Sequence, residues 1–179
     1  MHTETLVPLC LEGDQAAQME LYRRYYKAMY NVALRIVKKS EDAEDIMQES
    51  FLKAFTKLHT FRGEVTFGAW LKRIVINRSI DYYRKNQKSG EIRLDEVLYK
   101  VEDHEGYVPE HEESELRAQK VLAAMQGLKD NYRISLTLHL IEGYDYEEIC
   151  GIMDISYANC RTTISRAKES LRKKLLKLN

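Results

Sequence analysis

Leu21, Tyr25, Ala28, Val32 and Ile36 recur at three- and four-residue spacing, the stripe of an amphipathic helix. A second stripe through Ile46, Ser50, Ala54 and Leu58 predicts the next helix. Ser40 stands where an N-cap is expected. Glu41, Asp42, Glu44 and Asp45 follow in or near the first turn, where the helix dipole favours negative charge. The run Thr60-Phe61-Arg62-Gly63-Glu64-Val65-Thr66-Phe67 breaks the period, and a third helix is expected from about Gly68 to Asn86.

Periodicity resumes near Ser114. Leu116, Lys120 and Ala123 open a helix that ends around Leu128, and Arg133 to Ile141 makes another, stopped by Gly143. Tyr146 to Asp154 predicts a short helix with Ile149, Ile152 and Met153 inward. Ile155-Ser156 reads as a tight turn, and a long helix runs from Tyr157 towards Leu178 with Cys160, Ile164, Ala167 and Leu171 on one face. No strand-like alternation and no internal repeat occur. Two prolines and eight glycines favour helices over a turn-rich β fold. The expected fold is all-α, with two small helical domains at residues 1–88 and 115–179.

Charge changes this picture by marking what lies between them. The 28 basic and 28 acidic residues cancel overall, yet residues 1–90 carry +4, residues 91–115 carry −8 and residues 116–179 carry +4. An acidic, apolar-poor segment cannot bury enough surface to offset its ordering entropy. Residues 89–114 therefore read as a flexible acidic linker between two basic lobes.

Each lobe carries a candidate nucleic-acid surface. The short helix, turn and long helix at the C-terminal end form the pattern of a helix-turn-helix. Opposite the apolar face of its last helix stand Ala158, Thr162, Ser165, Arg166 and Glu169, small or polar residues suited to a major groove. Asn159, Arg161 and Arg166 add amide and guanidinium donors, and from Arg161 onward seven basic residues face one acidic residue. An ordinary helical hairpin with a basic, solvated last helix is the alternative. In the first lobe, Arg62, Lys72, Arg73, Arg78, Arg84, Lys85 and Lys88 interleave with Phe61, Phe67, Trp70, Tyr82 and Tyr83. Basic charge attracts a backbone while aromatic faces stack on exposed bases, so this mixture suits opened DNA. The loop Phe61 to Thr66 can hold an extruded base. Trp70 and Phe67 also fit a plain core role, and Asn77 fits either a DNA contact or a cap on a neighbouring helix.

Other chemistries find little support. Cys10, Cys150 and Cys160 are scattered, no CxxC pair occurs and the five histidines do not cluster, so neither a disulfide scaffold nor a metal site is expected. The acidic cluster at 41–49 lacks the Glu-x-x-His pairs of carboxylate metal bundles. No phosphate-binding glycine loop or nucleophile motif is present, so neither catalysis nor a cofactor is expected. No apolar run reaches membrane-spanning length, and Met1-His2-Thr3-Glu4 lacks the start of a secretory signal, which points to the cytoplasm. A dimeric helix-turn-helix regulator would need a dimerisation helix or ligand domain, neither of which is evident, and would leave the basic aromatic segment unexplained.

Three segments in order carry a family resemblance. Asp42-Ala43-Glu44-Asp45-Ile46-Met47-Gln48-Glu49-Ser50-Phe51 resembles the polymerase-binding segment of sigma-70 region 2. Phe61-Arg62-Gly63, Phe67-Gly68-Ala69-Trp70-Leu71 and the run from Ile74 to Lys85 resemble its promoter-melting segment. Tyr146-Glu147-Glu148-Ile149, Met153-Asp154-Ile155-Ser156 and Ser165-Arg166-Ala167-Lys168 with Leu171 resemble the helix-turn-helix of region 4. The chain lacks room for the other regions, so it resembles the extracytoplasmic-function (ECF) group of RNA polymerase sigma factors. The resemblance implies a non-catalytic initiation factor whose partners are core RNA polymerase, promoter DNA and an anti-sigma factor. It places Asp42, Asp45, Gln48 and Glu49 on the polymerase. It places Phe61, Arg62, Gly63, Thr66, Trp70, Arg73, Asn77, Arg78 and Arg84 on the melted minus-10 strand. Tyr157, Ala158, Asn159, Arg161, Thr162, Ser165, Arg166 and Lys168 would lie on the minus-35 duplex. Cys160 stands where the group often carries Val, Thr163 where it often carries a basic residue, and Tyr157-Ala158-Asn159 departs from the common Glu-Gly-Thr type.

Overall fold

The computed structural model describes residues 3–89 and 110–177, and among these every regular element is helical. The chain divides into two compact units, Met1–Arg93 and Leu94–Asn179. Most of the segment expected as an acidic linker, residues 90–109, lies outside the described residues.

The first unit packs four helices: α1 (Thr3–Leu11), α2 (Gln15–Val37), α3 (Ser40–Thr56) and α4 (Phe67–Ser89). The helix α1 was not visible in the apolar pattern. It is short and carries Pro8 internally, yet Leu6, Val7 and Cys10 are buried. Tertiary burial outweighs the missing proline N–H here. Gly13, at φ +87°, turns the chain, and the Asp14 carboxylate then caps α2 by accepting from Ala16 N at 2.8 Å and Ala17 N at 3.1 Å.

The buried stripe of α2 runs through Leu21, Met29, Val32 and Ile36, whereas Ala28 is exposed and Tyr25 half-buried. Met29 reaches further into the core than Ala28 can, so the stripe bends by one position. Lys38, at φ +70°, ends α2. Ser40 is not the cap expected of it: it is already the first residue of α3, and Lys39 holds the cap position without a side-chain bond. Glu41 and Asp42 still lie in the first turn, where the helix dipole favours them. A 3₁₀ turn, Leu58–Thr60, buries Leu58 under the bundle. Leu71, Val75, Ile76 and Ile80 of α4 complete the core. Ser50 and Ser79 are also fully buried and spend their hydroxyls on their own helices, at Ile46 O (2.6 Å) and Val75 O (2.8 Å).

The second unit holds α5 (Glu110–Gln126), α6 (Asp130–Leu136), α7 (Tyr146–Met153) and α8 (Tyr157–Leu176). Helix α5 opens at Glu110, inside the stretch read as linker. Acidic residues that look like a solvated tether are also what a helix N-terminus favours. A π-helical turn, Thr137–Ile141, follows α6, with Glu142 N donating to Thr137 O at 3.0 Å, and Gly143 at φ +77° ends it. Arg133 of α6 is buried to 1% exposure and pairs with Asp130. The side chains of Ile134, Leu136, Leu138, Ile149 and Ile164 are fully buried as well. Met153, expected inward, is half-buried, and its sulfur accepts from Ser135 Oγ at 3.5 Å.

Candidate polymerase and nucleic-acid interfaces

Burial of Ala43, Ile46, Met47, Ser50, Phe51 and Ala54 fixes which way α3 faces. The opposite side therefore presents Glu44, Asp45, Gln48 and Glu49 to solvent, with Asp42 half-buried at the start. Gln48 Nε2 donates to Glu44 Oε1 at 3.3 Å. Leu52 closes this face at 69% exposure, an apolar side chain one turn beyond Gln48. The sequence reading passed over Leu52, although it falls off the Ile46–Ser50–Ala54 stripe and that offset is the available signal. A charged surface ending in an exposed leucine suits an interface with an apolar centre and a polar rim.

The loop from Phe61 to Thr66 rests on an aromatic base. Phe61 lies 6.0 Å from Phe67 edge-on and 5.3 Å from Trp70, and Phe67 lies 5.9 Å from Trp70 between ring centroids. Tyr25 of α2 meets Phe67 at 5.5 Å, and Gly68 leaves room for it, since a Cβ there would stand 2.7 Å from the Tyr25 ring. Above this base Arg62, Gly63, Glu64, Val65 and Thr66 are all exposed, with Gly63 at φ +72° turning the loop. Thr66 also has a local duty: its Oγ1 accepts from Ala69 N at 3.3 Å and starts α4. Trp70 is half-buried, which leaves part of the ring in solvent. At 3.6 residues per turn Trp70, Arg73, Asn77, Asp81 and Arg84 form one stripe along α4. Asn77 and Asp81 are exposed there, and Arg73 and Arg84 half-buried. Arg78 sits at the side of this stripe and pairs with Glu49 of α3. Two residues expected on different partners thus touch each other.

In the second unit a capping box starts α7: Glu148 N donates to Asp145 Oδ1 at 2.8 Å, and Asp145 N donates to Glu148 Oε2 at 3.0 Å. Asp154, in the left-handed region at φ +51°, ends it. Ser156 then caps α8 by accepting from Asn159 N at 3.2 Å. These caps make a sharp turn, and Tyr146 meets Tyr157 across it at 6.1 Å, edge to face. Cys160, Ile164, Ala167 and Leu171 of α8 are all buried, as the spacing predicts. Tyr157, Ala158, Asn159, Arg161, Thr162, Ser165 and Arg166 are in consequence exposed together, and Lys168 is half-buried. Thr163 Oγ1 donates to Asn159 Oδ1 at 3.1 Å, which ties down the amide carbonyl and leaves its NH₂ outward. The acid on this face, Glu169, is already engaged by Arg172 and Lys173. The guanidinium groups of Arg161 and Arg166 are thus available for an outside anion.

Residues 21–89 match the family model of Sigma-70 region 2, and residues 118–171 match that of Sigma-70, region 4. The chain belongs to the sigma-70 family. Within it, the ECF RNA polymerase sigma-E factor of Haemophilus influenzae is 33% identical over 180 residues, covering 96% of this chain and 94% of the relative. The ECF RNA polymerase sigma factor SigM of Bacillus subtilis is 32% identical over 154 residues, covering 86% and 91%. The chain is accordingly of the ECF group. A solved structure of the sigma factor RpoE of Bartonella quintana, in complex with the anti-sigma factor NepR, shares the fold. Its TM-score is 0.60 at 23% identity, over 90% of this chain and 97% of that one. The acidic face of α3, the aromatic-backed loop and α4 all fall inside the region 2 match, and α7, the turn and α8 as far as Leu171 inside the region 4 match. Helix α1 precedes the first match and covers part of the core that the region 2 helices leave open.

Proposed function

We propose that this ECF sigma factor divides promoter recognition between its two units. The acidic face of α3, with Asp42, Asp45, Gln48, Glu49 and the exposed Leu52, docks on core RNA polymerase. The loop 61–66 and the α4 stripe capture bases of the melted minus-10 strand: Phe61 and Trp70 offer stacking edges, Arg62, Gly63 and Thr66 line the entrance, and Arg73, Asn77, Arg78 and Arg84 hold backbone or base edges. The α8 face from Tyr157 to Lys168 reads the minus-35 duplex. Each surface is small and binds weakly alone. Joined on one polymerase they gain through effective concentration, and the segment between residues 88 and 115 sets the separation.

The observation that carries this reading is the ordered occurrence of region 2 and region 4 in one chain, each with its exposed polar face set against a buried apolar one. The chain works by binding and carries out no chemistry of its own. Among the described residues no group of His, Cys, Asp and Glu could hold a metal ion. No helix there is long and apolar enough to cross a membrane. Action with core polymerase on promoter DNA places its work in the cytoplasm. An anti-sigma protein is the expected regulator, since the RpoE of Bartonella quintana is held by one. Run-off transcription with core polymerase on a pool of promoter fragments tests the reading. Initiation should depend on the protein and be lost when Gln48 and Glu49 are both replaced by Ala. No initiation, with tight binding of the free protein to a palindromic duplex, would replace it with a dimeric regulator.

A further inference from the structure

Asn159 is held from both ends at the start of α8. Its backbone N–H donates to Ser156 Oγ at 3.2 Å, the bond that caps the helix. One turn on, Thr163 Oγ1 donates to Asn159 Oδ1 at 3.1 Å. Thr163 is half-buried, on the border between the buried Cys160–Ile164–Ala167–Leu171 face and the exposed one, whereas Asn159 is exposed. The bond therefore draws the amide carbonyl back along the helix and turns the NH₂ to solvent. Among the described residues that NH₂ has no protein partner. Arg166 lies two turns from Asn159 on the same side of the helix and is also exposed. In a helix-turn-helix the N-terminal residues of the second helix are the ones that reach base edges.

We propose that Thr163 is a positioning residue that makes Asn159 a donor-only reader, so that one minus-35 position takes a keto base, guanine or thymine, and rejects an amino base, adenine or cytosine. The major-groove edges differ in the required way. Guanine offers N7 and O6 and thymine O4, acceptors alone; adenine sets its N6 amine beside N7, and cytosine shows its N4 amine. A free asparagine amide suits adenine, because its carbonyl and its NH₂ can face the groove side by side and pair with N6 and N7. With the carbonyl turned to Thr163, that double contact is lost. A base amine brought against the NH₂ would meet a second donor and stay unpaired, which costs more than one net hydrogen bond gains. The other hold acts in the same direction: the Ser156 bond fixes the Asn159 backbone, so the amide cannot follow an adenine by shifting the first turn. The hydroxyl at Thr163 thus carries sequence information without touching DNA.

The role of the pair rests on the minus-35 reading of α8, and one experiment separates the two. Holoenzyme is assembled from core polymerase and the full chain. Its affinity is measured for promoter fragments carrying each of the four bases at every minus-35 position. The native protein should favour guanine or thymine at one position by about three- to tenfold, the size of one net hydrogen bond, and Asn159→Ala should flatten that position alone. Thr163→Val, which exchanges the hydroxyl for a methyl of similar size, should raise adenine there by about the same factor. Thr163→Ser, which keeps the hydroxyl, should retain the native preference. A preference for adenine or cytosine at the position that Asn159→Ala flattens would overturn the pair. So would a Thr163→Val profile equal to the native one, or a Thr163→Ser profile equal to that of Thr163→Val. Asn159→Ala that flattens no position, with other minus-35 bases still discriminated, would also overturn the pair and leave α8 as the reading helix. A native profile flat at every minus-35 position would overturn the minus-35 reading itself.

Discussion

Replacing Glu49 with Gln should weaken binding to core polymerase and leave the fold standing. The carboxylate is 54% exposed and pairs with Arg78, itself 38% exposed. An ion pair this open to solvent contributes about 0–1 kcal/mol to stability, so thermal melting should hardly move. At a protein interface the same carboxylate would be partly desolvated against a cation, where a hydrogen bond to a charged group is worth about 1.5–3 kcal/mol. That corresponds to a rise in Kd of roughly ten- to a hundredfold. The assay is titration of labelled protein with core polymerase at fixed salt, since exposed charges are screened. Arg78→Gln breaks the same ion pair but keeps the Glu49 carboxylate. It should leave core Kd within about twofold, inside the range of a surface pair, and instead reduce promoter opening. If Arg78→Gln weakens core binding as much as Glu49→Gln, the carboxylate acts by holding Arg78, and α3 does not touch polymerase there.

Two further predictions follow from the second unit. Arg166→Ala should cost about 1–3 kcal/mol in promoter affinity and relax specificity at one minus-35 position if the guanidinium grips a base; a phosphate contact would instead give a loss uniform across sequences and a salt slope lower by about one. Promoter variants titrated at several salt concentrations separate these, and no loss at all removes Arg166 from the interface. Burial first, then the charge and hydrogen bond of Cys150, push the Cys160 thiol from 9.0 up to about 11. The folded unit therefore holds this proton more tightly than the unfolded chain. The contribution is full below pH 9 and is lost as pH climbs towards 11. Melting should fall more steeply with alkaline pH in the native protein than in Cys160→Val, and parallel slopes would refute the assignment.

The apolar period found each helix that carries function, because burying one face forces the other into solvent. Cys160, Ile164, Ala167 and Leu171 are buried as their spacing requires, and the exposed α8 residues follow from them with no further information. Helix ends were less legible. Ser40 has the chemistry of a cap, but the backbone turns at Lys38 and leaves Lys39 in that place. Helix α1 left no clear signal, since Pro8 reads as a breaker and only contact with the bundle supplies the compensating burial. At Leu52 residue type alone points to core, whereas its angular position, off the Ile46–Ser50–Ala54 stripe, puts it outside.

Contacts between helices were the part no periodicity could supply. Glu49 and Arg78 each sit where a one-helix reading puts them, and their pairing depends on the rotation of α3 against α4. The same holds across the turn of the second unit, where Tyr146 meets Tyr157 edge to face and the Cys160 thiol donates to the Tyr146 carbonyl oxygen. The Ser156 cap and the left-handed Asp154 that turn the chain there are local, whereas these contacts join two helices. A conservative replacement at Cys160 should therefore preserve the apolar stripe while removing the thiol's bond to the Tyr146 carbonyl oxygen. This makes Cys160→Val the most informative single change in the second unit: it keeps a small apolar side chain and takes away only the sulfur.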